Sequence, residues 1–127
     1  MPTSSRILVV DTEPAVRRLL ADLLSGEGYV VSEASDGAKA LATLRDSVPD
    51  IVITDLMMPV MSGWSFAREC GRIEGCRDLA IIAISAIFNI ESTYTHLQAL
   101  GIRACLAKPF DVGTLLSLVA SVGRSDA

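Results

Sequence analysis

The chain has 127 residues, 50% of them apolar, a mean hydropathy of +0.45 and a net charge of −4. That length suits one domain rather than two, and roughly two-thirds of the unfolded surface can then be buried without a disulfide or metal staple. The acidic balance without any Lys/Arg cluster argues against direct nucleic-acid binding, and no apolar run reaches the ~18 residues of a membrane span. The N-terminus lacks the apolar core of a signal peptide, so a cytoplasmic location is expected. Cys70, Cys76 and Cys105 form no Cys-x-x-Cys pair and read as free thiols. His96 is the only histidine, which excludes a His-rich metal site.

Strand and helix signals alternate five times. Ile7-Leu8-Val9-Val10 is a short apolar strand ending at Asp11. Pro14 then fits the first turn of a helix, where its missing N–H is harmless. Val16, Leu19, Leu20, Leu23 and Leu24 recur at helical spacing, and Gly26 and Gly28 end that helix. Tyr29 to Ala34 is a more polar strand, as expected near a sheet edge. Asp36 caps a second helix carrying Ala38, Leu41, Ala42 and Leu44, broken by Pro49-Asp50. The third strand, Ile51-Val52-Ile53-Thr54, runs into Asp55.

Ser62-Gly63 opens a third helix with Trp64, Phe66, Ala67 and Cys70, and Gly71 to Asp78 is a loop. The fourth strand, Leu79 to Ile84, leads to Ser85. A looser helix is expected from Glu91 to Leu100, stopped by Gly101. The fifth strand, Arg103 to Ala107, precedes Lys108. Asp111 caps the last helix, with Val112, Leu115, Leu116, Val119 and Val122 inward. There is no internal repeat and no linker. Residues 1–127 read as a single domain with a core of about 6–122 and frayed tails.

Strands this short and apolar suit burial on both faces of a parallel sheet. Five strand–helix units with right-handed crossovers give an α/β fold: a doubly wound five-stranded parallel sheet flanked by five helices. The flavodoxin-like order 2-1-3-4-5 puts the first and third strands side by side, bringing Asp11 and Asp55 together at the switch point. Asp11, Asp55, Ser85 and Lys108 all follow strands, so they converge on the carboxyl edge of the sheet. Two acids, a hydroxyl and a lysine there point to phosphoryl chemistry on a carboxylate, assisted by a cation. Singly, Ser85 is an ordinary strand-end hydroxyl and Lys108 an exposed lysine of little weight in stability.

The chain resembles the receiver domains of two-component response regulators from Ile7 to about Val122. The resemblance rests on Val9-Val10-Asp11 with Glu13-Pro14, Pro49-Asp50, Asp55-Leu56-Met57-Met58-Pro59 with Gly63, Ser85-Ala86 and Lys108-Pro109-Phe110. It implies that Asp55 is the phosphoacceptor, that Ser85 hydrogen-bonds the phosphoryl group, and that Lys108 pairs with it. It also implies Mg²⁺, held by Asp11, Asp55 and the backbone carbonyl of Met57, with Glu13 as a further candidate. Lys108-Pro109 resembles the family's cis peptide bond.

Two positions depart from the pattern. Thr12 stands where members usually carry a second acid, and a neutral hydroxyl is a poor Mg²⁺ ligand. Cys105 stands where an aromatic usually swings inward on activation and reads as a small buried apolar residue. The resemblance implies a phosphorylation-operated switch in a two-component or phosphorelay system. A histidine kinase or phosphotransfer protein is the donor and a downstream protein the target, without nucleic-acid or membrane contact. The domain catalyses only its own phosphorylation and dephosphorylation. It is either a stand-alone regulator or part of a longer chain.

The alternative is a receiver-like binding module with weak or lost phosphorylation. A haloacid dehalogenase-type phosphatase also orders an acid, Ser/Thr and Lys along such a sheet. It requires a second Asp two residues after the first, and Glu13 is there instead.

Overall fold

The computed structural model describes residues 5–76, 78–86 and 98–124. Strands β1 (Arg6–Val10), β2 (Val30–Ala34), β3 (Ile51–Asp55), β4 (Ala80–Ser85) and β5 (Ile102–Ala107) form one sheet. All pairings are parallel, in the order β2-β1-β3-β4-β5. Among the described residues there are four helices: α1 (Pro14–Gly26), α2 (Gly37–Asp46), α3 (Gly63–Cys70) and α4 (Val112–Arg124). The helix expected from Glu91 to Leu100 lies mostly outside the described residues; Gln98 and Ala99 are helical.

The period of two along a strand splits the core into two layers. Leu8, Val10 and Val52 face one side and pack with Leu41 and Leu44 of α2 and Phe66 and Cys70 of α3. Ile7, Val9, Ile51 and Ile53 face the other and pack with Leu20 and Leu24 of α1 and Leu115 and Val119 of α4. Every residue of β3 and β4 is buried, whereas β2 is exposed at three of five positions, as befits an edge.

Local signals set the helix starts. Pro14 opens α1. The Lys39 N–H donates to Asp36 Oδ1 at 2.8 Å, the Ser65 N–H to Ser62 Oγ at 3.2 Å, and the Thr114 N–H to Asp111 Oδ2 at 2.9 Å. The inward faces are narrower than the apolar patterns. Leu19, Val112, Ala38 and Ala42 are exposed, and the tighter positions Ala21 and Ala40 are buried instead. Small residues let the helix backbones come close to the sheet, which rotates the larger neighbours outward. Strand β4 begins and ends one residue later than expected, and β5 begins one earlier and ends as expected.

Candidate functional site

Strand register assembles the site. Val10 pairs with Thr54, so Asp11 and Asp55 are the next residues on adjacent strands. Ser85 pairs with Ala107, and the Lys108 N–H donates to the Ser85 carbonyl at 2.8 Å. The Lys108–Pro109 peptide is cis. All four expected residues therefore meet at the carboxyl edge of the sheet. Asp11, Asp55 and Ser85 are 2%, 7% and 0% exposed.

Two carboxylates this buried require compensating charge. Lys108 supplies it: its Nζ lies 2.9 Å from Asp55 Oδ2 and 3.2 Å from Asp11 Oδ2. Burial by itself pulls the lysine pKa down. The hydrogen bond to Asp55, the negative charges of Asp11 and Asp55, and the bond to Asp11 outweigh it and raise the pKa above the ordinary value. Lys108 is not the exposed lysine expected from sequence, for its side chain is only 19% exposed. Its surroundings are created by acids arriving from β1 and β3.

The other carboxylate oxygens are held by main chain. The Glu13 N–H donates to Asp11 Oδ1 and the Met57 N–H to Asp55 Oδ1, both at 2.9 Å. Each is an Asx turn, an aspartate accepting from the N–H two residues on. Asp-x-Glu-Pro and Asp-x-Met at strand ends are the signals that mark them. The Glu13 side chain is exposed, and its backbone holds Asp11. Thr12 is half-buried and lines a cavity of about 200 Å³ with Asp36, Gly37, Pro59 and Met61.

Gly63 has a steric reason to be glycine. A Cβ there would come within 2.5 Å of the Asp55 carbonyl oxygen and 2.7 Å of Leu56 Cα. The close approach lets the Gly63 N–H donate to the Leu56 carbonyl at 3.0 Å, tying α3 to the loop behind Asp55. Sequence reasoning missed Arg17, whose Nη1 donates to the Asp11 carbonyl at 2.7 Å, and Glu33, which accepts from Arg17 Nε at 3.2 Å. No local motif marks a contact that joins a helix to a neighbouring strand. Cys105 is half-buried; burial pushes its thiol pKa up, against a hydrogen bond from the Leu106 backbone. Burial, with the nearby Cys76 and Glu69, pushes the Cys70 thiol up to about 12.

The ligands expected for a cation, Asp11, Asp55 and the Met57 carbonyl, would offer only oxygen. Hard oxygen donors suit Mg²⁺, which keeps several of its waters. The residues thus fit that cation, with fewer charges than three acids would give. Among the described residues no group of three or more His, Cys, Asp or Glu side chains gathers for a metal.

These features define a flavodoxin-like α/β domain with a charged site at the switch point of its sheet. The family model of the response regulator receiver domain matches residues 7–120, and the chain belongs to that family. It is 35% identical over 124 residues to a probable transcriptional regulator, ycf27, of Guillardia theta, covering 98% of this chain and 47% of that protein. The chain spans about half or less of the length of the curated relatives it matches.

Among solved structures it resembles the chemotaxis response regulator CheY4 of Vibrio cholerae, with a TM-score of 0.88 and 30% identity over 94% of this chain and 99% of that one. It also resembles the receiver domain of the sensor histidine kinase PA1611 from Pseudomonas aeruginosa PAO1, with a TM-score of 0.86 and 27% identity over 97% and 100%. That receiver holds a magnesium ion in its active-site cleft. Receiver domains generally bind Mg²⁺ in this cleft and act in two-component signalling with histidine kinases and downstream effectors.

Proposed function

We propose that this domain takes a phosphoryl group onto Asp55 from a histidine kinase or phosphotransfer protein and passes the change to a downstream protein. The observation that carries this is the Lys108 ammonium held between Asp55 Oδ2 and Asp11 Oδ2 at 2.9 and 3.2 Å. An Asp55 oxygen attacks phosphorus, and the bond from phosphorus to the donor nitrogen breaks. Attack by one anion on another needs charge to be offset. Lys108 offsets it on one side and pairs with the phosphoryl oxygens. Asp11, Asp55 and the Met57 carbonyl would hold Mg²⁺, whose chemistry would be to offset negative charge at the transfer.

Ser85, buried at the end of the strand next to that of Asp55, donates its hydroxyl to the phosphoryl group. The acyl phosphate draws Ser85 inward and repacks the surface near the helix expected from Glu91 to Leu100, β5 and α4, where Cys105 replaces the usual aromatic. Thr12 makes the Mg²⁺ site weak. The domain acts on no external substrate. It works in the cytoplasm, without direct nucleic-acid or membrane contact; its net charge of −4 supports this, and no helix among the described residues is long and apolar enough to cross a membrane. Residues 1–127 act as one unit.

The test is intact mass after incubation with acetyl phosphate and Mg²⁺. A phosphoryl mass is expected on the wild type, none on Asp55→Asn, and slower addition on Asp11→Asn. A phosphoryl group mapped to Asp11 overturns the assignment. A second reading, a binding module with weak or lost phosphorylation, is favoured by Thr12 in place of a second acid and by Cys105. Absence of any phosphoryl mass at saturating Mg²⁺, with partner binding retained, selects it.

A further inference from the structure

All four polar groups of Asp11 are held. Its N–H donates to the Ala34 carbonyl of β2 at 3.2 Å, and its carboxylate accepts from the Glu13 N–H and from Lys108. Its carbonyl lies one residue beyond the last paired residue of β1. Arg17 Nη1 reaches that carbonyl at 2.7 Å from the opening turn of α1.

The same guanidinium donates through Nε to Glu33 Oε1 on β2 at 3.2 Å. The two side chains are 18% and 27% exposed, so the pair escapes much of the screening that weakens surface ion pairs. Arg18 approaches the other Glu33 oxygen at 3.7 Å but is 70% exposed, and so is peripheral. A guanidinium is a rigid planar fork, and two anchors fix its plane. A lysine at position 17 could satisfy one partner at a time.

Thr12 gives this contact its weight. With no acid at position 12, cation binding by the β1–α1 loop depends on how well Asp11 is aimed. We propose that Arg17, oriented by Glu33, is a positioning residue for cation binding: it locks the Asp11 peptide so that the carboxylate stays turned toward Asp55. This rests on the reading that Asp11 and Asp55 hold Mg²⁺. Neither Arg17 nor Glu33 touches the reacting atoms. Removing groups that orient metal ligands commonly changes affinity by about 10- to 100-fold. Arg17 holds a main-chain carbonyl rather than the ligand atom, so the lower figure, about tenfold, is expected.

The experiment is Mg²⁺ calorimetry, with thermal melting in EDTA and hydrogen exchange of the Asp11 amide, bonded to the Ala34 carbonyl, without metal. The proteins are the wild type, Asp11→Asn, Arg17→Met, Arg17→Lys and the distant core variant Leu41→Ala. Arg17→Met should bind Mg²⁺ about tenfold more weakly and exchange the Asp11 amide faster. Arg17→Lys should recover part of both. Leu41→Ala should melt lower yet bind Mg²⁺ normally. If Asp11→Asn binds as the wild type does, the cation reading falls and the proposal falls with it. If Asp11→Asn loses binding but Arg17→Met does not, only the positioning role is overturned. Equal weakening by Leu41→Ala and Arg17→Met at matched loss of melting temperature also overturns it, because Arg17 is then merely structural.

Discussion

Replacing Lys108 by methionine should destabilise the metal-free domain and make Mg²⁺ a stronger stabiliser of the variant than of the wild type. Methionine keeps much of the buried stem and removes only the charge. Asp11 Oδ2 and Asp55 Oδ2 each lie within hydrogen-bond reach of the same nitrogen. They are therefore no more than about 6 Å apart, and at an effective dielectric near 20 two unit charges at that distance repel by roughly 3 kcal/mol. Removing one partner from a fully buried ion pair costs about 3–5 kcal/mol. This site is less extreme, because Lys108 is 19% exposed and water can enter where the ammonium was. The Asx-turn donors of Glu13 and Met57 also remain. A net loss of about 1–3 kcal/mol follows, or roughly 4–12 °C of melting temperature for a domain of this size.

If Asp11 and Asp55 hold Mg²⁺ as proposed, the cation competes with the Lys108 ammonium for these oxygens in the wild type and meets no such rival in the variant. Stabilisation by a ligand grows with its affinity for the folded state. The melting temperature of Lys108→Met should therefore rise further on adding Mg²⁺ than that of the wild type. The assay is thermal melting followed by circular dichroism in EDTA and across a Mg²⁺ series. The lysine pKa is raised above 10.5 in the folded state, so its stabilising contribution is fully present below that pH and fades as pH climbs through the raised value. The stability gap between the two proteins should stay constant through neutral pH and close only in strong alkali. Equal melting of both proteins in EDTA, or equal Mg²⁺ shifts, would refute the account of Lys108 as the charge that holds the two acids together.

Val60 sits at φ 68 with its side chain fully in solvent. A β-branched residue is strained there, and asparagine tolerates the region because its short side chain bonds locally. Val60→Asn should gain about 1 kcal/mol, seen as a higher urea midpoint at unchanged slope, and a lower midpoint would contradict this. Thr12→Asp should tighten Mg²⁺ binding by calorimetry and lower melting in EDTA, since a third acid both attracts the cation and repels its neighbours. If the wild type binds as tightly as Thr12→Asp, water or Glu13 already supplies the missing ligand.

The elements were legible because their signals are local, and the sheet order followed from the doubly wound pattern that alternating strands and helices adopt. Short apolar runs, Pro14, and the caps Asp36, Ser62 and Asp111 act within a few residues of themselves. The four strand-end residues were legible for the same reason: once strand ends are known, the sheet gathers them. Helix rotation was not. Leu19 and Val112 belong to apolar patterns, yet stand 50% and 40% exposed, beside a groove that also includes Pro109 and Phe110. Which side of an apolar stripe touches the sheet depends on neighbours from elsewhere in the chain. Lys108 shows the same limit, since its burial depends on acids far away in sequence. Arg17 and Glu33 are paired by a helix crossing over a strand, a contact without periodicity.

Thr12 and Lys108 together set the charge of the resting cluster. Two carboxylates and one ammonium leave an excess of one negative charge, and a third acid would leave two. With the smaller excess, Lys108 alone can satisfy both acids, as the paired distances of 2.9 and 3.2 Å show. A phosphoryl group on Asp55, as proposed above, would change this balance. It would replace one carboxylate charge by the larger negative charge of the phosphoryl oxygens and draw the ammonium toward them and away from Asp11. Asp11 would then stay turned inward by its own main-chain bonds, free of its rival cation. Cation binding and phosphorylation should accordingly reinforce one another in this chain, because both require Lys108 to give up the same oxygen of Asp11.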